Sequence, residues 1–130
     1  MTLVAQNSGM KHHELTDRIL DAYYEVHRHL KHGYPEVFYQ RALSIALKRR
    51  DIAHQREVPT QVTFLGHSIG TLKMDLVVDH KVIVECKRAP RLTAEHRNQV
   101  LGYLNATEHE VGLLLNFGPV PEHKRVVLTR

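Results

Sequence analysis

A mixed β-sheet flanked by helices, in the order α-α-β-β-β-α-β, is the α/β fold that this chain predicts. Three observations carry it. Two stretches with apolar residues at helical spacing come first, and the period drops to two after Asp51. A nearly continuous apolar run, Val111 to Phe117, then follows a third helical stretch.

The elements follow in order. Residues 1–12 carry no pattern and are expected to be loosely held. Leu15, Ile19, Ala22, Val26 and Leu30 form one stripe of an amphipathic helix, which Lys31-His32-Gly33 ends. Pro35 suits the first turn of a second helix reaching about Arg50, with Phe38, Ala42 and Ile45 as its buried stripe, supplemented by Leu43 and Leu47. Val58, Thr60, Val62 and Phe64 then line one face of a strand, and Pro59 assigns that strand to a sheet edge. Gly66 and Gly70 bracket a turn before a second strand, about Thr71 to Val78, and Asp79-His80-Lys81 leads into a third, Val82 to Lys87. Pro90 breaks the chain, and Thr93 can cap a helix running to about Ala106. The run from Val111 to Phe117 reads as an interior strand, and a strand–helix–strand order implies a parallel neighbour. Arg125 to Thr129 is a candidate short final strand.

Composition narrows the function classes. The 130 residues, 42% hydrophobic and 25% charged, suit one globular domain with a real core and no room for a separate recognition domain. Eighteen Lys and Arg against 14 Asp and Glu leave a net charge of +4, which mildly favours a polyanionic partner. There is no apolar stretch of bilayer length and no leader resembling a signal peptide, so a cytoplasmic protein with no membrane contact is expected. The lone Cys86 excludes an internal disulfide and reads as a small buried hydrophobe. Of the 11 histidines, His27, His29 and His32 cannot share one helical face, and no zinc-type spacing occurs, so most are read as surface residues.

The strand Val82-Ile83-Val84-Glu85-Cys86-Lys87 carries the chemistry. Alternation sets Ile83, Glu85 and Lys87 on one face and Val82, Val84 and Cys86 on the other. A two-residue loop at Asp79-His80 would put Asp75 and Glu85 on opposite faces. A three-residue loop, 79–81, sets Asp75 across from Glu85, and this odd register is the one predicted. Two readings then stand. The three charged residues form a solvated face with a cross-strand ion pair worth about 0.2–1 kcal/mol. Alternatively, Asp75 and Glu85, with the Cys86 backbone carbonyl as a third ligand, hold Mg²⁺ or Mn²⁺, and Lys87 positions water or offsets developing charge. The second is the chemistry of metal-assisted phosphodiester hydrolysis.

Five segments tip the balance. Gly33-Tyr34-Pro35-Glu36-Val37-Phe38-Tyr39 reads as GxxExxY, and Lys73 to Val78 and Val82 to Lys87 follow at suitable distances. Asn98-Gln99-Val100-Leu101-Gly102-Tyr103-Leu104 and Gly112 to Gly118 complete the set. Together they resemble the GxxExxY family of the PD-(D/E)XK nuclease superfamily over roughly His13 to Val127. Met74 stands where the superfamily's name has proline, which removes no ligand.

The resemblance implies a restriction-endonuclease-like αβββαβ core with an extra N-terminal helix. It implies Asp75, Glu85 and Lys87 as the metal and catalytic set, with Glu36 as a further metal or water ligand; otherwise Glu36 is a helix-start acid favoured by the dipole. Tyr39 either orients Glu36 or packs in the core. Gln99 and Tyr103, one turn apart, match an element that positions the substrate strand in related nucleases, or are an ordinary helix face. Tyr39, Gln99, Tyr103 and Arg88 are the substrate-side candidates, and Lys73, Arg91 and Arg97 could meet phosphates. The expected activity is a nuclease using a metal-activated water, on DNA in preference to RNA, with a homodimer or protein partner supplying specificity. The competing expectation is a non-catalytic nucleic-acid-binding or regulatory module on the same fold.

Overall fold

The computed structural model describes residues 11–130; the expectation for the residues before Lys11 lies outside them. Helix α1 spans His13–Leu30 and α2 spans Glu36–Arg49. Strands β1 (His54–Phe64), β2 (His67–Val78) and β3 (Val82–Lys87) follow, then α3 (Ala94–Ala106), β4 (Val111–Asn116) and β5 (Glu122–Val127). The strands form one sheet in the order β1-β2-β3-β4-β5. All neighbours are antiparallel except β3 and β4, the pair that α3 connects, as a strand–helix–strand crossover requires.

The sheet separates two apolar layers. Val82, Val84 and Cys86 of β3 pack with Leu113 and Leu115 of β4 against Ile19, Tyr23, Tyr39 and Leu43 of the N-terminal helices. Ile83, Val77 and Leu114 face the other way, against Val100, Tyr103 and Leu104 of α3. Both faces of β3 and β4 are covered, which explains their unbroken apolar runs. Gly112 lets α3 come close, since a Cβ there would meet Val100 Cγ1 at 2.5 Å. Thr93 caps α3 as expected, its hydroxyl accepting from His96 N–H while His96 Nδ1 accepts from Thr93 N–H.

Some elements depart from the sequence-based expectation. β1 begins four residues early, at His54, and β2 begins at His67, because Leu65 and Gly66 make the turn and Gly70 lies inside β2. The final strand forms earlier than expected, from Glu122. The buried face of α2 is rotated: Tyr39, Leu43, Ala46 and Leu47 are buried, while Phe38 and Ile45 are exposed. Tyr39 decides this. It stacks on Phe117 at a centroid distance of 4.8 Å, and its hydroxyl donates to Lys31 C=O at 2.6 Å, so the helix turns that face inward.

The register at β2 and β3 is the odd one. Leu76, Val77 and Val78 lie opposite Val84, Ile83 and Val82, with residues 79–81 as the loop, and the paired ladder ends one residue short of Asp75 and Glu85. The segment after β3 is clamped by buried Asn116. Its Oδ1 accepts from Ala89 N–H at 2.9 Å and Gly118 N–H at 3.2 Å, and its Nδ2 donates to Ala89 C=O at 2.9 Å. A Cβ on Gly118 would stand 1.9 Å from the Ala89 carbonyl oxygen. We therefore expect Gly118→Ala to push the two segments apart and cost about 1–3 kcal/mol, as overpacking generally does. Thermal unfolding should show a Tm lower by several degrees; an unchanged Tm would mean that the clamp yields freely.

Candidate active site

Because β3 alternates, Glu85 and Lys87 join Ile83 on the α3 face, and the odd register sets Asp75 beside them. The two carboxylates take up different bonds. Asp75 Oδ2 accepts from Cys86 N–H at 2.8 Å, so the side chain ties β2 to β3 one residue past the last paired position. Glu85 Oε2 lies 3.2 Å from Lys87 Nζ, while Glu85 Oε1 is buried without a hydrogen-bond partner. Glu36 arrives from the other layer: it opens α2, and its Oε2 accepts from Arg88 N–H at 3.0 Å, just past Lys87.

Burial dominates the electrostatics. Glu85 is 3% exposed, and its carboxyl is pushed from 4.5 up to about 7, mainly by desolvation and then by the Asp75 charge. The Lys87 ammonium pulls the other way and does not win. Asp75 is raised by burial too, and by Glu36, against the opposing Cys86 N–H and Lys87. Tyr103 is buried with its phenol raised by desolvation and by the charges of Glu85 and Asp75, and its oxygen accepts from Gln99 Nε2 at 2.9 Å.

A cavity of about 250 Å³ opens beside this cluster, lined by Glu36, Val37, Gln40, Glu57, Lys73 and Asp75. Gln40, Arg56 and Glu57 were not foreseen from sequence. Gln40 is buried one turn after Glu36 and accepts from Arg56 Nε at 3.1 Å and Nη2 at 2.7 Å. A polar residue on the buried side of α2 was the available signal, hidden by misjudging which side is buried. Glu57 falls opposite Asp75 in the β1–β2 register, yet the pair is absent from the ladder because Glu57 adopts φ 53°.

The other candidates divide. Arg88, Gln99, Lys73, Arg91 and Arg97 are exposed. Cys86 is buried on the opposite face from Glu85, and burial raises its thiol well above the ordinary range, as suits an inert core residue. Tyr39 corrects the expectation of substrate contact. It is fully buried, its hydroxyl is committed to Lys31 C=O and Tyr34 N–H, and it braces the α1–α2 connection instead.

The donor set suits a hard divalent cation. Among the described residues no three His, Cys, Asp or Glu side chains are gathered as a ready cage. Mg²⁺, however, characteristically uses one or two carboxylates and keeps several waters, and the unpartnered Glu85 Oε1 next to Asp75 offers that arrangement.

Comparisons with known proteins bear on the family and the fold. A family model described as the PD-(D/E)XK nuclease superfamily matches residues 13–126. No curated protein matches the chain. The crystal structure of SSO0001 is similar in fold at TM-score 0.58 and 19% identity, over 72% of this chain and 50% of that one. An alkaline exonuclease, LHK-Exo, from Laribacter hongkongensis aligns at TM-score 0.49 and 10% identity, over 65% of this chain and 51% of its own. The chain thus spans about half the length of both solved structures.

The Glu85 environment has a measurable consequence. The folded state holds its proton up to about pH 7, whereas the unfolded chain releases it near 4.5. Stability from this group is therefore full below about pH 4.5 and declines as pH rises through 7, by on the order of 3 kcal/mol. With EDTA present, Glu85→Gln should melt above the wild type at pH 8 and approach it near pH 5. A difference independent of pH would show Glu85 to be ionised throughout.

Proposed function

The chain belongs to the PD-(D/E)XK nuclease superfamily, and from that premise we propose that it is a metal-dependent nuclease hydrolysing phosphodiester bonds, of DNA in preference to RNA. The observation that carries the reading is the meeting of Asp75, Glu85 and Lys87 at the end of β3, where Glu85 Oε1 is buried without a partner. Buried carboxyls destabilise a fold unless something binds them, and a site that tolerates this cost is a functional candidate.

Asp75, Glu85 and the Cys86 carbonyl would hold Mg²⁺ or Mn²⁺, with Glu36 completing the set directly or through water. The ion would supply charge neutralisation at the phosphate and acidify a water. Lys87, 3.2 Å from Glu85, is placed to orient the attacking water and offset charge on the phosphoryl oxygens. Gln99 and Tyr103 form a hydrogen-bonded pair on α3, placed to steady the substrate strand, with exposed Arg88 able to contact phosphate. The Gly33-to-Tyr39 segment, which reads as GxxExxY, supports membership of the GxxExxY family within the superfamily. The reading takes the chain as one nuclease domain acting in the cytoplasm; among the described residues no helix is long and apolar enough to cross a membrane. Sequence preference would come from a protein partner or a second copy.

The test is cleavage of labelled DNA and RNA in Mg²⁺ or Mn²⁺. Glu85→Gln and Lys87→Ala should each lose at least about 100-fold in rate, the scale associated with losing a positioned acid–base or electrostatic group. Mg²⁺ should also raise the wild-type Tm at pH 8 and leave that of Glu85→Gln unmoved. Equal rates in all three proteins, or no cleavage by any, would defeat the proposal; salt-sensitive binding without cleavage would instead favour a non-catalytic module.

A further inference from the structure

The β1–β2 hairpin is much longer than the sheet it belongs to. β1 and β2 pair from His54–Val78 out to Phe64–His67, whereas β2 meets β3 only through Leu76 to Val78. The outer part is a two-stranded ribbon standing beyond the sheet. Its root is the candidate active site, since Asp75, Lys73 and Glu57 all lie there and line one cavity.

Its tip is apolar and exposed. Phe64, Leu65 and Ile69 are 62%, 81% and 66% exposed. Two backbone features present these side chains. Leu65 and Gly66 both have positive φ, 49° and 80°, the mark of a type I′ turn. The first position of such a turn favours asparagine, aspartate or glycine, so a leucine there is strained as well as exposed to water. The ladder also slips between Val62 and Thr63: Val62 faces Gly70 and Thr63 faces Ser68, leaving Ile69 without a partner. Strain and apolar exposure at one spot together point to a contact.

Charge and edge chemistry select the occupant. From Val58 to Met74 the chain has no acidic residue, and Lys73 lies exposed at the ribbon's root. Strand addition by a second copy is opposed along β1, whose edge is interrupted by Glu57 at φ 53°, by Pro59 and by the slipped register. β2 keeps an open edge before Leu76, but at the tip itself a partner meets the three exposed apolar side chains. Leucine and isoleucine beside one phenylalanine suit a wedge between duplex base steps, whereas single-strand platforms rely on aromatic rings.

We infer that this ribbon is a duplex-engaging arm, whose Phe64, Leu65 and Ile69 insert into double-stranded DNA away from the scissile phosphate. The inference rests on the nuclease reading for its substrate and names the duplex as the class engaged. Nine residue steps from Asp75 to Gly66 reach roughly 30 Å. At 3.4 Å per base pair, the tip meets the duplex roughly 9 base pairs from the cut.

The test compares the wild type with the combined Phe64→Thr, Leu65→Asn and Ile69→Thr variant. These choices suit strand and I′-turn positions, so the variant should keep or raise the wild-type Tm. Binding is read by fluorescence anisotropy in EDTA, where no cleavage occurs, on a duplex of about 30 base pairs and a stem–loop of about 8, too short to reach the tip. The variant should lose at least tenfold in affinity for the long duplex, with a parallel loss of cleavage in Mn²⁺, and match the wild type on the stem–loop. Equal affinity for the long duplex overturns the arm. So does sedimentation showing a wild-type dimer that the variant dissolves, with equal losses on both substrates, since the tip would then join two copies. Should the wild type cleave neither substrate, the nuclease reading fails, and the affinity difference still decides the arm.

Discussion

The three-residue loop between β2 and β3 governs which side chains can meet. Asp79 and His80 take left-handed conformations, φ 51° and 56°, and Lys81 N–H returns to Val78 C=O at 2.9 Å. The odd loop pairs Leu76 with Val84, and just past that pair Asp75 Oδ2 accepts from Cys86 N–H, which brings it close to Glu85. A slip of one residue would turn Glu85 and Lys87 toward the N-terminal helices and Val84 and Cys86 toward α3. Nothing else in the site survives that exchange.

Around this register the structure resolves a conflict between burial and charge. β3 is central, so Glu85 is desolvated, and desolvation outweighs the Lys87 ammonium 3.2 Å away. The Cys86 N–H donates to Asp75, and the Arg88 N–H donates to Glu36. One oxygen of Glu85 is left without a partner. Hydrogen bonds in the neighbouring structure brace this arrangement. Asn116 clamps residues 87–90, Phe117 N–H donates to Lys87 C=O at 2.7 Å, and Tyr23 Oη accepts from Glu122 N–H at 2.9 Å while donating to Asn116 C=O.

Much of this was legible in the chain. Period-two alternation assigned Glu85 and Lys87 to one face of β3 and Cys86 to the other. The unbroken apolar run of β4 announced a strand covered on both faces, and Thr93 announced the start of α3. Less legible was the buried side of α2, because Phe38, Ala42 and Ile45 form as good an apolar stripe as Tyr39, Leu43 and Ala46. Tyr39 was open between site and core by sequence, and its stacking on Phe117 decided for the core. Gln40 and Glu57 escaped notice because a lone polar residue carries no periodic signal.

The sequence by itself determined the layered α/β order and the faces of β3. Those follow from local periodicity, which each segment carries alone. Only the tertiary structure decided how far the β1–β2 ribbon extends, where Glu36 reaches Arg88, and how strongly Glu85 is desolvated. These depend on contacts between residues distant in the chain: α2 meeting the end of β3, and α3 closing over its face. Spacing along a chain does not encode the dielectric in which a carboxylate will finally sit.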